Sequence, residues 1–216
     1  MSWWGYSLIA LLFSPGYSLG SKWALNLRIN RTKLLAYIFS GLFLGYLVYN
    51  LKDINSLLEK MHDPLFYIWG LVAAIFSLSG NIFHIKGFAK SPNPGYVQAV
   101  TITNAVLVLF ASAIIFKSPI DWTKFLGIIV SLLGLYLLLV SRSRIGKNDW
   151  QFSAIMAMVL YGAMFLVVKQ MSNLEFKPEQ ILLVLLFFAS LGFLGMCFVQ
   201  RIGLKISEAP KIVFIP

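Results

Sequence analysis

The chain has 216 residues, of which 59% are hydrophobic and only 12% charged. This composition lies outside the range of soluble globular domains. The net charge of +10 invites comparison with nucleic-acid-binding proteins. However, the Lys and Arg residues fall in short segments between apolar stretches, which is typical of membrane orientation. We therefore expect no nucleic-acid partner.

Seven apolar stretches occupy most of the chain, and none of them contains a carboxylate. Each has about 17–22 residues, enough at a rise of 1.5 Å per residue to cross a hydrocarbon core of about 30 Å. A backbone in lipid must satisfy its own hydrogen bonds, which favours helices. We predict an all-α integral membrane protein, a polytopic bundle of about seven transmembrane helices, and expect it to lie in the lipid bilayer. The predicted spans are Trp3–Ser21, Leu34–Asn50, Leu65–Ile85, Gly95–Phe116, Phe125–Ser141, Trp150–Val168 and Ile181–Gln200.

Between the second and third spans, Asn50–Asp63 alternates apolar and charged residues at three- and four-residue spacing. This pattern predicts a short amphipathic helix at the membrane interface, and a solvated connecting turn is the alternative. The first span has its basic residues after it rather than before it, so we interpret it as a retained helix and not as a signal peptide.

The Lys and Arg count predicts an orientation. Twelve basic residues lie in segments on the side of the first connection and six lie on the opposite side. Because cytoplasmic loops carry the excess of Lys and Arg, the first connection is predicted to be cytoplasmic and the N-terminus to lie outside.

An internal repeat is indicated at an offset of 146 residues, although sparse matches in apolar sequence also arise by chance. The pairs are Trp4 with Trp150, Ser7 with Ser153, Ile9 with Ile155, Gly16 with Gly162 and Pro64 with Pro210; one residue further, Lys22 pairs with Lys169 and Asn26 with Asn173. We predict a first five-helix unit over residues 1–146 and a partial second unit over 147–216, with two helices and the start of a third. A truncated product, a partial sequence and a split gene all fit this pattern.

Three parts of the chain resemble the drug/metabolite transporter superfamily, in particular its EamA-type ten-helix members. Gly87-Phe-Ala-Lys-Ser-Pro-Asn-Pro-Gly-Tyr-Val-Gln-Ala-Val100 is similar to the junction between that family's third and fourth helices. The stretch from Trp122 to Tyr136, with glycines at 127 and 134, is similar to its fifth helix. Lys22 and Lys169 stand where members often carry a basic residue.

The resemblance implies two five-helix units and solute transport by alternating access between them. It implies a multi-pass protein of the cell membrane, in a bacterial or archaeal inner membrane, that works as a homodimer or with a complementing second half. It also implies a cytoplasmic N-terminus, the reverse of the orientation that the charge count predicts.

Polar side chains within a membrane are costly, so each marks a candidate site. In the third span Ser77, Asn81 and His84 recur at spacings of four and three residues, which places them on one helix face. Such a face can line a polar cavity. The alternative interpretation places His84 near the membrane interface and pairs Asn81 with a neighbouring helix.

The fourth span carries a polar side chain at every third residue, at positions 98, 101 and 104. These groups suit recognition of a polar solute without fixed charge, and they serve equally well as hydrogen bonds between helices. Lys22 and Lys169 can anchor an anionic substrate, or extend to lipid headgroups. We predict a substrate site built from Asn81, His84, Gln98, Asn104, Lys22, Lys169, Ser77 and Thr101.

Catalytic signatures are weak. The sequence has no His-Glu-x-x-His zinc motif and no phosphate-binding Gly-Lys-Ser/Thr loop. It also lacks the intramembrane glutamate that small multidrug transporters use for proton exchange. We predict no enzymatic activity, no cofactor and no metal site. The leading hypothesis is a transporter of a small metabolite or amphipathic solute; the competing one is a non-transporting membrane scaffold, assembly partner or inactive transporter fragment.

Overall fold

The computed structural model describes residues 16–27, 29–51, 62–140 and 150–204, and this part of the chain is helical between its turns, with no strand. Residues 16–26 belong to helix α1. The helices that follow are α2 (Arg31–Tyr49), α3 (Pro64–Lys90), α4 (Pro94–Ile102), α5 (Asn104–Ile115), α6 (Trp122–Val140), α7 (Trp150–Asn173) and α8 (Pro178–Val199).

Five helical segments are long and apolar enough to cross a membrane: α2, α3, α4 together with α5, α7 and α8. They confirm an all-helical, multi-pass architecture and match the second, third, fourth, sixth and seventh predicted spans. The first span is described only from residue 16, and the fifth contains a shorter apolar stretch, Phe125–Leu137. The count of seven spans, the repeat and the two units therefore stay predictions. The predicted interfacial helix, Asn50–Asp63, falls largely in residues 52–61, and the start of the third helix of the second unit falls after residue 204; both segments lie outside the described residues.

Short polar residues begin three of the helices. The side chains of Asn30, Asp63 and Asn93 each accept a hydrogen bond from a backbone N–H in the first turn of α2, α3 and α4. Proline occupies the first turn of α3 and α4. The N–H groups of a first turn have no partner within the helix, so a residue without an N–H costs nothing there.

Helices α7 and α8 end in the same way. Glu175 and Arg201 adopt left-handed backbone conformations, with φ of 63° and 53°. The next residue in each case donates its N–H back to the last turn, from Phe176 to the Met171 carbonyl and from Ile202 to the Cys197 carbonyl. This is the Schellman motif, which satisfies the final carbonyls and turns the chain away from the helix axis.

The fourth predicted span is interrupted, which the apolar pattern did not predict. Helix α4 ends at Ile102 and α5 begins at Asn104. At the break, the hydroxyl of Thr103 donates to the Val100 carbonyl at 2.6 Å, and its oxygen lies 3.0 Å from the Met158 sulfur. A threonine hydroxyl that competes for a helix carbonyl loosens the ladder there.

Helix α3 lies at the centre of the bundle. On one side it packs against α8, and α2 packs against α8 in turn. On the other side it packs against α7, and α4 and α5 pack against α7. At the α3–α8 contact, a Cβ on Gly70 would lie 2.6 Å from a methyl group of Val184, so only glycine permits this approach. The packing divides the bundle into an α2–α8 side and an α7–α4–α5 side around α3.

Candidate functional site

A cavity of about 900 Å³ lies between α3, α4, α5 and α7. On α7 its wall extends from Tyr161 to Ser172, which corresponds to about 16 Å along the helix axis. Helix α5 forms the facing wall, and the linker 116–121 closes one end. The cavity is of the size that small-molecule sites occupy in proteins. Its lining residues are His84, Gln98, Thr101, Ile102, Asn104, Ala105, Val108, Leu109, Ser112, Ser118, Pro119, Ile120, Tyr161, Met164, Phe165, Val168, Lys169 and Ser172.

One end of the cavity is built around His84. The Tyr161 hydroxyl lies 3.4 Å from its Nδ1, and the two rings meet edge to face. The tyrosine ring lies against Gly80, where an added Cβ would come within 2.8 Å of two ring atoms. On the opposite side of the imidazole, the Phe88 ring centroid is 4.3 Å away. The ring of His84 is thus held by packing, with its Nε2 left for other contacts.

The other end of the cavity is built around Lys169. Its ammonium donates to the Ser118 hydroxyl at 2.6 Å and lies 5.2 Å from the centroid of the Phe116 ring. Ser118 reaches this position because Lys117 adopts a left-handed conformation, with φ of 51°, and ends α5. The Ser118 N–H then bonds back to the Ser112 carbonyl at 3.3 Å.

The middle of the cavity is mainly apolar. Between its two ends it is walled by the side chains of Val108, Leu109, Phe165 and Val168, among others. Thr101 also lines it, but its hydroxyl is already donated to the Val97 carbonyl at 2.7 Å. The cavity therefore combines a long apolar surface with a few polar groups, as ligand sites generally do.

Among the buried polar atoms of this wall, Nε2 of His84 and Oγ of Ser112 have no partner at good hydrogen-bond geometry within the described part of the chain, although the Gln98 side chain lies against the imidazole of His84. His84 and Ser112 are each only 4% exposed. A buried polar atom without a partner costs about 1–3 kcal/mol, so such atoms are rare unless water or a ligand meets them. Both atoms are therefore places where a water molecule or a polar ligand group would lower the cost of burial.

Five of the eight residues predicted for the site line this cavity: His84, Gln98, Thr101, Asn104 and Lys169. Ser77 and Asn81 do not. They are buried off the cavity, where the Asn81 amide donates to the Ser77 carbonyl of its own helix at 2.8 Å. The predicted polar face of α3 is thus buried within the bundle. Of its three polar residues, His84 lines the cavity, and Ser77 and Asn81 are buried between packed helices.

Lys22 lies elsewhere, at the junction of α3 and α4. Its ammonium donates to the carbonyls of Phe88 and Ser91, each at 2.8 Å. A cation at the C-terminal end of a helix satisfies free carbonyls and complements the helix dipole. The paired lysines of the predicted repeat therefore have different surroundings, and only Lys169 reaches the cavity.

The sequence interpretation missed several cavity residues, including Tyr161, Phe165, Ser112 and Ser118. A signal existed on α7, where residues 161, 165, 168, 169 and 172 recur at three- and four-residue spacing and share one face. Nothing in the sequence indicated that the linker at Ser118 would fold back onto this face.

The described residues offer little for metal or acid–base chemistry. They contain no group of three or more His, Cys, Asp or Glu that could hold a metal ion, and no carboxylate lines the cavity. Residues 16–20 read Gly-Tyr-Ser-Leu-Gly, which fits the nucleophile-elbow pattern. That pattern needs a sharp strand-to-helix turn, whereas these residues are helical and Ser18 is buried.

No protein-family model, curated protein or solved structure matches the chain. The resemblance to EamA-type transporters therefore depends on the motifs in the sequence alone. What the cavity can do has to be argued from its own residues.

Proposed function

We propose that the protein is a membrane transporter that moves a small metabolite or amphipathic solute by alternating access. The observation that carries the proposal is the cavity of about 900 Å³ among helices of spanning length. A transporter needs such a binding space between its helices. A purely structural bundle has no use for a cavity with unpartnered polar atoms in its wall.

Placement of the polar groups supports the same proposal. His84 and Lys169 lie at opposite ends of one cavity, with apolar side chains between them. Ionisable residues within membrane-spanning segments are costly and usually face a solute pathway or a water-filled space. Under the proposal, these two residues orient the solute and the apolar wall binds its body.

The proposed mechanism follows the resemblance: two five-helix units that change their tilt around a central site, with a homodimer or a complementing second half as the working assembly. Helix α6 supports an assembly role. It touches the rest of the described chain mainly at α4, and Trp122, Tyr136 and Leu137 are each more than 60% exposed. We propose that this face meets a second copy or second half within the bilayer.

Thiol accessibility tests whether the cavity opens to water. Cys197 is first replaced by Ala, and Asn104→Cys and Asn81→Cys are then made separately in that background. The two positions are matched, since each replaces a buried asparagine in a helix, but only residue 104 lines the cavity. We expect a membrane-impermeant thiol reagent to modify the cysteine at 104 in reconstituted vesicles and to spare the one at 81.

Equal inertness of both cysteines would favour the competing hypothesis, a non-transporting membrane scaffold, because the cavity would then be closed to water. Flux is the second measurement. Vesicles containing the protein should accumulate or release a labelled solute that also protects the cysteine at 104 from the reagent. Absence of flux for every protecting solute would overturn the proposal.

A further inference from the structure

Among the residues that the structure describes, Lys169 is the only charged one that lines the cavity. Its ammonium has three donors, and the described contacts use one of them on Ser118. No carboxylate of the described residues forms an ion pair with it, and the Phe116 ring contributes only a weak cation–π contact. A cation set in a wall of low polarity and left without a counter-charge creates a strong preference for an anion.

Nearby acidic groups do not cancel this preference. The carboxylates closest to this end along the chain are Asp121, at the start of α6, and Glu175, at the end of α7. Both are exposed, and neither lines the cavity. Screening by water and salt weakens their effect on a group inside the bundle. An organic cation would meet Lys169 with no acidic partner among the described residues of the cavity wall.

The wall beyond Lys169 selects for an apolar body. Val108 and Leu109 on α5 face Phe165 and Val168 on α7, and none of these side chains can bond to a hydroxyl or a second charge. A sugar-like solute would lose its hydrogen bonds to water without replacing them. An aliphatic or aromatic body fits this surface without that cost.

The far end of the cavity offers one specific contact. Nε2 of His84 is buried with no partner at good hydrogen-bond geometry in the described structure, although the Gln98 side chain lies against the imidazole. Packing by Tyr161 and Phe88 holds the ring in place. The Ser112 hydroxyl, by contrast, lies toward the Lys169 end, because the Ser112 carbonyl accepts the N–H of Ser118. At the far end, His84 and the Gln98 side chain beside it are the groups that a distal polar group of a solute would meet.

We propose that the cavity binds an elongated amphipathic monoanion. Its carboxylate, or an equivalent acidic group, pairs with Lys169, its apolar body lies between α5 and α7, and a distal polar group meets His84. The proposal rests on the proposed function, because it assigns the ligand class of the same cavity. One lysine matches one negative charge, so dianions and organic cations are disfavoured.

A series of three ligands with one shared skeleton tests this assignment: phenylbutyrate, phenylbutanol and phenylbutylamine. Binding is measured as protection of the cysteine at position 104 and by calorimetry, in nanodiscs of phosphatidylcholine. We expect the anion to bind at least about tenfold tighter than the alcohol, which is a modest effect for a charge-assisted hydrogen bond. The amine should bind more weakly than the alcohol.

Substitutions of Lys169 and Lys22 test which of the two charges causes the tighter binding of the anion. Lys169→Met should remove the advantage of phenylbutyrate and leave binding of phenylbutanol unchanged, which also shows that the variant is folded. Lys169→Arg should retain the advantage. Lys22→Met is the matched control and should retain it too, because Lys22 lies outside the cavity. Addition of phosphatidylglycerol then distinguishes a lipid headgroup from a free anion: competition with phenylbutyrate assigns the site to the lipid anion, and unchanged binding assigns it to a free solute.

Three outcomes would overturn the assignment: equal or tighter binding of the amine, an anion preference that survives Lys169→Met, or no binding of any ligand in the series to a cavity whose cysteine reacts with the water-soluble reagent. In each of these cases the cavity remains accessible and the transport proposal stands. An unreactive cysteine at 104 is different, since it contradicts both proposals together.

Discussion

The two sides of α3 differ in whether their buried polar groups are hydrogen-bonded. Toward α8 the contact is close, with Gly70 against Val184, and the Ser40 and Ser190 hydroxyls of α2 and α8 pair at 3.0 Å. Toward α5 and α7 the packing opens into the cavity, where His84 and Ser112 keep unbonded polar atoms. No such atom occurs on the α2–α8 side of the described structure. The closed side has the features of a scaffold, and the open side has those of a binding site.

The largest expected effect is on the closed side. Phe193 is fully buried, with its ring centroid 5.1 Å from that of Phe39. Phe193→Ala should lower the free energy of unfolding by about 3 kcal/mol, because it leaves a void in close packing that lipid cannot fill. Thermal unfolding in detergent measures the change.

Phe198→Ala is the matched control on the same helix, because Phe198 is 87% exposed. It should shift the free energy of unfolding by less than about 0.5 kcal/mol. Equal destabilisation by the two substitutions would show that the closed side is not the packed core of the bundle.

The second comparison separates the two lysines of the predicted repeat. Lys22→Met removes hydrogen bonds from a charged donor to the carbonyls of Phe88 and Ser91, and should cost about 1.5 kcal/mol of stability. Lys169→Met should change stability by less than about 0.5 kcal/mol, since the lost bond to Ser118 is offset by removal of an uncompensated charge.

The same unfolding measurement in nanodiscs checks this pair. If Lys169→Met proves the more destabilising of the two, Lys169 is chiefly a structural residue, and the contrast between the lysines is wrong.

The smallest expected effect compares two buried serines. Ser190→Ala removes the hydrogen bond to Ser40 and should cost about 0.6 kcal/mol, the mean for such bonds within membranes. Ser112→Ala removes a hydroxyl that has no partner in the described structure and should leave stability unchanged or raise it. Chemical denaturation in mixed micelles resolves the sign, and a larger loss at Ser112 would show that its hydroxyl has a partner after all.

The sequence was sufficient to predict where helices of spanning length lie, because length and apolar content alone set that property. It also predicted a polar site on the third and fourth spans, and five of its eight residues line one cavity. The sequence contains less information on which face of each helix is buried in the bundle and which faces lipid. In a membrane protein both the lipid-facing and the buried sides of a helix are apolar, so little periodic contrast shows which side meets which neighbour.

Asn81 and Lys169 illustrate what that ambiguity conceals. Both are polar residues within apolar helices, yet Asn81 bonds to its own helix and Lys169 faces the cavity. The outcome depends on which neighbour each face meets, and on the left-handed turn at Lys117 that brings Ser118 to the ammonium. Neither property is local to the sequence around the residue.

The break at Thr103 has a consequence for movement. Its hydroxyl already supplies the Val100 carbonyl with a donor, so a change in the angle between α4 and α5 need not strand that carbonyl in a nonpolar medium. Under the transport proposal, we expect any change in the position of α5, which carries Ser112 and much of one cavity wall, to be taken up at this residue. The close contact of α3 with α8 would then stay fixed while that wall moves.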